Sequence, residues 1–296
     1  MKYAFIYQER LHYPLTVLCP VLRVSRSGYY AFLNRPPSVL DSVTLAQVRR
    51  LHLASRRTYG QRRMRLALRA EGVGVGRWRT RMLMRQAGVS VKRAHPWKPH
   101  TTDSAHALPV APNRLNRQFG VSAPNRVWGS DLTYLPTQDG WLYLAVVVDL
   151  FSRKIVGWAM ASTMETSLVV TALTMAIGRR HPPPGLLHHS DRGSQYASAT
   201  YQALLQRHQM VGSMSRRGNC WDNAVVERVF RSVKHEGLDE AVREQASETV
   251  KALVIDYIEM FYNSHRLHAT LGYLSPNAFE AQAPGEWPQP VGSEGG

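Results

Sequence analysis

Cysteine is almost missing from this chain of 296 residues: only Cys19 and Cys220 are present. Two distant thiols build neither a disulfide scaffold nor a cysteine-rich zinc site, and they fit a reducing compartment. No run of about 18 apolar residues occurs, which excludes a membrane-spanning helix. The opening MKYAFIYQERLHYP has no long apolar stretch before a small-residue cleavage site, so no signal peptide is expected. Acid is scarce in the first part of the chain. Residues 1–126 carry 23 Lys/Arg against 4 Asp/Glu, or +19, whereas residues 127–296 carry 14 against 17, or −3. General solubility does not require charge on one side only. The asymmetry points to a half that grips nucleic acid, joined to a half that is nearly neutral.

With 44% hydrophobic residues the chain has material for an ordinary core and length for two or three domains. No internal repeat is evident. Residues 1–43 read as a helix-turn-helix-like segment. Within it HYPLTVLCPVLRVSRSGYYAFLN (12–34) gives two short helices, with Ser25 as an N-cap and Arg23 in a turn position that often takes glycine. Pro20 should weaken the first of them. Residues 44–94 form a basic helical module. Between Arg49 and Lys98 lie 15 Lys/Arg and a single acid, Glu71. Helices are predicted at 61–70 and 77–86, parted by GVGVG and closed by Gly88. Met64, Ala67, Leu68, Met82 and Leu83 can face a core. Arg62 and Arg63 on the first helix and Arg77, Arg79, Arg81 and Arg85 on the second are then candidates for DNA phosphates.

Prolines at 96, 99, 109, 112 and 124 mark residues 95–125 as an extended linker. Residues 126–280 read as an α/β core with a helical extension, and 281–296 as a disordered tail. Strands are predicted at 127–135, 141–150 and 154–160 as an antiparallel meander, then at 185–191 and 210–215. Helices are expected at about 165–179, 198–208, from 223 to about Lys234, and at 245–262. Three acids stand out: Asp131 in WGSDLTYLP, Asp191 in LLHHSDRGSQYAS and Glu227 in GNCWDNAVVERVF. Two strands and a helix can bring such oxygen donors together around magnesium on a phosphate. His188 and His189 have no CxxC partner and do not read as zinc ligands. Asp149 reads as a turn cap, Asp222 as the cap of the Glu227 helix, and Trp128, Trp141 and Trp158 as core. The loop with Arg216, Arg217 and Gly218 is a candidate mobile DNA contact.

The words SRSGYY, RRTYGQRR, NRVWGSDLTYL, GWLYLAVVVDLFSRKIVGWAM, HHSDRGSQYAS, NCWDNAVVERVFRSVKHE and YNSHRLHATLGYLSPNAFE cover nearly the whole chain in one order. In them the sequence resembles an insertion-sequence transposase of the retroviral-integrase superfamily, of the kind encoded by the second of two overlapping frames. The resemblance implies a ribonuclease H-like mixed five-stranded sheet with flanking helices, preceded by small all-α DNA-binding modules. It implies that Asp131, Asp191 and Glu227 hold two Mg²⁺ or Mn²⁺ ions for phosphodiester cleavage and strand transfer. Lys234 and Asn223 would lie on the Glu227 face and touch DNA near the reacting end. The implied partners are double-stranded DNA of element ends and target, further copies of the chain in a synaptic complex, and an upstream-frame partner or fusion. A bacterial cytoplasm with the nucleoid is the implied location. The His/His/Cys/Cys zinc module of retroviral integrases is absent from the sequence.

Overall fold

The computed structural model describes residues 2–34, 39–91, 108–217, 219–238 and 240–283. Part of the 95–125 linker, Gly218 and nearly all of the 281–296 tail lie outside these residues. Near the N-terminus, α1 (Lys2–Glu9), α2 (Leu15–Val21) and α3 (Arg26–Leu33) close a small core of Ile6, Leu18, Cys19 and Tyr29. Ser25 caps α3 by accepting from the Gly28 amide at 3.0 Å. Arg23 takes the left-handed conformation (φ 53°) that the turn requires. Pro20 is accommodated in the final turn of α2. Helix α1 was not anticipated.

The basic module holds α4 (Val39–Ala54), α5 (Gln61–Ala70) and α6 (Arg77–Gln86), with Gly88 at φ 69° behind the last. Leu83 and Met84 are buried, so Met84 takes the inward position expected of Met82. Helix α4 was also unforeseen. Val48, Tyr59, Met64, Leu68, Leu83 and Met84 belong to the same apolar cluster as Leu135, Val226, Tyr257 and Phe261. The module therefore packs on the core instead of standing apart. Tyr59 seals the junction: its hydroxyl donates to the His265 carbonyl at 3.0 Å and accepts from the Leu267 amide at 3.1 Å.

The core is a five-stranded sheet in the order β3-β2-β1-β4-β5. Strands β1 (Val127–Thr137), β2 (Gly140–Asp149) and β3 (Ile155–Ala161) are antiparallel neighbours. Strands β4 (Leu187–Ser190) and β5 (Val211–Met214) run parallel on the other side of β1. Alternation along β2 sends Leu142, Leu144, Val146 and Val148 to one apolar cluster, and Ala145 and Val147 to the other. A sheet buried on both faces needs helices on both. Helix α7 (Thr166–Arg180) shares one cluster with short α8 (Ser194–Ala197) and α9 (Ala199–Arg207). On the other face lie α10 (Ala224–Ser232) and α11 (Ser247–Asp256). Each of these two widens into a π-helical turn, Val233–Gly237 and Tyr257–Tyr262 respectively. Helix α12 (Pro276–Glu280) returns to the core, where Glu280 accepts two bonds from Arg180 at 2.9 and 3.0 Å.

Candidate active site

Parallel pairing sets two of the acids in step. Gly129 on β1 lies opposite His189 on β4; two residues on, Asp131 follows within β1 and Asp191 comes just past the end of β4. The third acid arrives from the helix. Gly129 shares a strand face with Asp131, and a Cβ there would stand 2.8 Å from the Val226 side chain. Only glycine lets α10 come this close to β1, and Val226 immediately precedes Glu227. The Asn223 amide ties the start of this helix to the sheet, donating to the Ser130 carbonyl at 3.2 Å. Gly129→Val should push α10 off the strand. Cleavage is expected to fall at least tenfold, alongside a loss of about 1–3 kcal/mol from overpacking. Activity assays and chemical denaturation would check the two effects.

Asp131 is half-buried and accepts the Leu132 amide at 2.8 Å. Burial raises its carboxyl well above the usual range, and the charges of Asp191 and then Glu227 add to the rise. Asp191 accepts the Gly193 amide at 2.9 Å. Glu227 is exposed at the surface of α10, and partial desolvation raises it too. Among the described residues no three His, Cys, Asp or Glu side chains close into a ready-made metal cage. Hard carboxylate oxygens, one raised by the charge of the other two, suit a divalent ion such as magnesium.

Lys234 stands beside this group, its ammonium 5.2 Å from the centre of the Tyr134 ring. Burial pulls it down to about 8, with Asp131 opposing. It lies early in the π-helical turn that continues α10, seven residues after Glu227, and the charges of both act on Asp131. Tyr196, within SDRGSQYAS, was missed from sequence. It is buried, its hydroxyl has no hydrogen-bond partner, and the nearby charges it feels are those of Asp131 and Asp191.

His188 and His189 are buried and spend their ring nitrogens inside the protein. His188 Nε2 meets Ser130 Oγ at 2.9 Å and the Tyr201 hydroxyl at 3.1 Å. His189 Nδ1 and Nε2 meet Ser213 Oγ at 2.9 Å and Ser215 Oγ at 3.2 Å. Burial lowers them to about 3 and about 4, so both rings are neutral near neutral pH. Asp149 caps its turn, accepting the amides of Asn125 at 2.7 Å and Phe151 at 2.8 Å. Trp128 is fully buried, whereas Trp141 is half exposed and meets Tyr134 edge-on.

Four expectations need correction. Asp222 does not cap α10. Its buried carboxylate accepts from Asn113 Nδ2 (2.8 Å), Arg117 Nε (2.9 Å), and the Arg216 backbone N (3.0 Å), Nε (3.0 Å) and Nη2 (2.8 Å). Arg216 is thereby held as a loop anchor, not left free for DNA, while Arg217 stays exposed. Asn223 is buried against Ser130, so its amide fixes the helix instead of facing a ligand. Arg63 turns inward to Glu236 at 3.6 Å. Arg62, Arg77, Arg79, Arg81 and Arg85 are exposed.

The bonds from Arg216 hold Asp222 far below the usual carboxylate range, against the cost of burial. A depressed folded value stabilises the fold above the ordinary value of 3.8 and loses that contribution as pH falls below it. Asp222→Asn should lower stability at neutral pH by about 1–3 kcal/mol and flatten the loss on acidification. Denaturation midpoints followed from neutral pH down to about 3 would check this.

Comparison with known proteins matches this geometry. Residues 121–220 and 208–276 match the integrase core domain, and residues 41–97 match an HTH-like domain. Transposase InsF for insertion sequence IS3A of Escherichia coli (strain K12) is 41% identical over 289 residues, covering 95% of this chain and 98% of its own. The chain belongs to the insertion-sequence transposases with an integrase-type core. Another relative of this transposase is the insertion element IS600 uncharacterized 31 kDa protein of Shigella sonnei. It is 42% identical over 88% of this chain and 97% of its own. A solved HTLV-2 integrase catalytic core in complex with magnesium aligns over 53% of this chain and 97% of its own, at 16% identity and a TM-score of 0.42. The integrase core domain and the InsF relative make the transposase a DDE-type polynucleotidyl transferase. No helix among its described residues is long and apolar enough to cross a membrane.

Proposed function

We propose that this transposase cuts at the ends of its own insertion element and joins the freed 3′-hydroxyls to target DNA, with Asp131, Asp191 and Glu227 as the divalent-metal ligands. One observation carries the assignment: inside an integrase core, burial raises the Asp131 carboxyl well above its ordinary value, and the charges of Asp191 and Glu227 add to the rise. Two Mg²⁺ or Mn²⁺ ions bound there would activate the attacking oxygen and neutralise the leaving one. The chain's own residues do the rest. Gly129 and Asn223 seat the helix that carries Glu227, and Lys234 brings a positive charge beside Asp131 for a DNA phosphate. The exposed Arg62, Arg77, Arg79, Arg81 and Arg85 of the HTH-like module supply sequence-independent grip on the DNA backbone.

Two element ends must be cut and joined together, which calls for several copies of the chain in a synaptic complex. An upstream-frame partner or fusion would add recognition of the ends, and the reaction would take place on the bacterial nucleoid in the cytoplasm. The test is an end-joining assay with DNA from the flanks of the encoding gene, using the chain alone and fused to any upstream frame. Joined products are expected with Mg²⁺ or Mn²⁺ and not with chelator. Glu227→Gln should bind the same DNA and yield none. Binding without joining by every form would replace the enzyme with a protein that only covers DNA ends.

A further inference from the structure

Trp221 sits in a short 3₁₀ turn, Cys220–Asn223, that leads straight into α10. Its side chain is 68% exposed, whereas Asp222 and Asn223 beside it are 0% and 5% exposed. An indole left in water directly before two buried polar residues is unusual, since large aromatic side chains are normally drawn inward. The other described tryptophans of the core are engaged. Trp128 is buried, Trp141 meets Tyr134, and Trp158 donates its ring N–H to Glu259 at 2.7 Å.

The turn beneath Trp221 is fixed from both sides. Upstream, Asp222 takes five hydrogen bonds from Asn113, Arg117 and Arg216. Arg117 also reaches Asn219 Oδ1 at 2.9 Å. Downstream, Asn223 is tied to Ser130, the neighbour of Asp131. Asn116 and Arg117 adopt left-handed backbone (φ 43° and 61°) to make this grip. They lie between the HTH-like match and the first integrase-core match, in a stretch neither match includes. The scaffold fixes the backbone beneath a ring that it does not bury. Ordering an aromatic surface beforehand removes the entropy cost of ordering it on binding.

We propose that Trp221 is a stacking platform for a nucleobase next to the scissile phosphate. Six residues separate Trp221 from Glu227, on the order of 10 Å of helix rise, which is the reach of a neighbouring nucleotide. Every base has a π-face, so indole stacking is tolerant of sequence, and exposed Arg217, four residues earlier in the chain, supplies charge for the backbone. A base stacked on the indole and drawn away from its neighbours would open the strand beside the bond to be cut.

The assignment rests on the transposase reading, and its test separates the two. Full-length protein is mixed, in Ca²⁺, with duplex DNA from the element flank carrying 2-aminopurine at each nucleotide beside the cut in turn. One position should change fluorescence with the wild type and with Trp221→Phe, but not with Trp221→Ala. In Mg²⁺ or Mn²⁺, Trp221→Ala should cut about ten- to a hundredfold more slowly, with DNA affinity nearly unchanged and Trp221→Phe restoring most of the rate. An abasic site at the responding position should slow the wild type to the rate of the alanine variant.

An identical fluorescence response from Trp221→Ala would overturn the proposal. So would unchanged cleavage by that variant together with a shifted oligomeric state, which would make the ring a subunit contact. A wild type that shows the Trp221-dependent response yet never cuts would sink the transposase reading and leave the stacking site standing.

Discussion

Asp131→Asn should cut cleavage at least a thousandfold and, in chelator, raise the melting temperature. The two effects have one cause. Asp131 is half-buried, with Asp191 and Glu227 adding like charge, so the folded protein holds its carboxylate at a cost. Its folded pKa lies above the unfolded value of 3.8. The native state therefore keeps a proton that the unfolded chain has already lost. Stability is greatest below the unfolded pKa and falls as pH climbs towards the folded one. An amide keeps the bond from the Leu132 amide and removes the charge. The gain over wild type should be largest near pH 8 and vanish near pH 4, as measured by thermal denaturation across that range. Mg²⁺ or Mn²⁺ should raise the melting point of the wild type, by about 2.7 kcal/mol of stability at a hundred times the dissociation constant, and leave the variant unmoved. Loss of a ligand that supports several kcal/mol of charge stabilisation predicts at least a thousandfold drop in rate. Equal metal shifts in both proteins would remove Asp131 from the ligand set.

The sheet could be read from sequence because its pattern is local. Strand β2 is a nearly unbroken apolar run between an Asp139–Gly140 turn and Asp149, and Gly140 takes the positive φ (113°) that such a turn needs. Helices α5 and α6 announced themselves by glycines at both ends. Helix α4 has no comparable start signal, and its apolar positions do not form a clean stripe. The π-helical turns after α10 and α11 were illegible for another reason. One extra residue in a turn leaves no composition mark, and it shifts every later residue around the axis.

At the site, flanking words were enough to single out Asp131, Asp191 and Glu227, but the means of holding them together was not legible. Asp222 meets Arg117 across 105 residues, and Asn113 across 109. Both partners lie in a proline-bearing stretch that reads as a loose linker, so nothing local identifies them as anchors. For the same reason Arg216 and Asn223 looked available for DNA when each already had a partner inside the protein. A polar residue beside a catalytic word is as readily part of its scaffold as part of its binding surface, and only burial tells the two apart.

Glu236→Ala should cost about 3–5 kcal/mol and loosen the HTH-like module from the core, because it leaves a buried arginine without its counter-charge. Glu236 lies in the π-helical turn and is a junction between three parts of the chain. Arg266, 8% exposed, binds it through two nitrogens; Tyr257 donates to it at 2.9 Å; and Arg63 of α5 approaches at 3.6 Å. Burial pushes Glu236 up, yet the bonds and charge of Arg266 more than offset this and leave it below its ordinary value. Only ionised Glu236 neutralises both arginines, so Glu236→Gln should recover only part of the loss. The change lies away from the carboxylates, and that gives it a distinctive signature. Denaturation should show the large destabilisation, and limited proteolysis should cut first within residues 55–60, where Tyr59 meets residues 265–267. Cleavage of short DNA that needs only the core should fall less than binding of long DNA that also needs the module. A loss of stability without earlier cutting at this junction would place the role of Glu236 within the core alone.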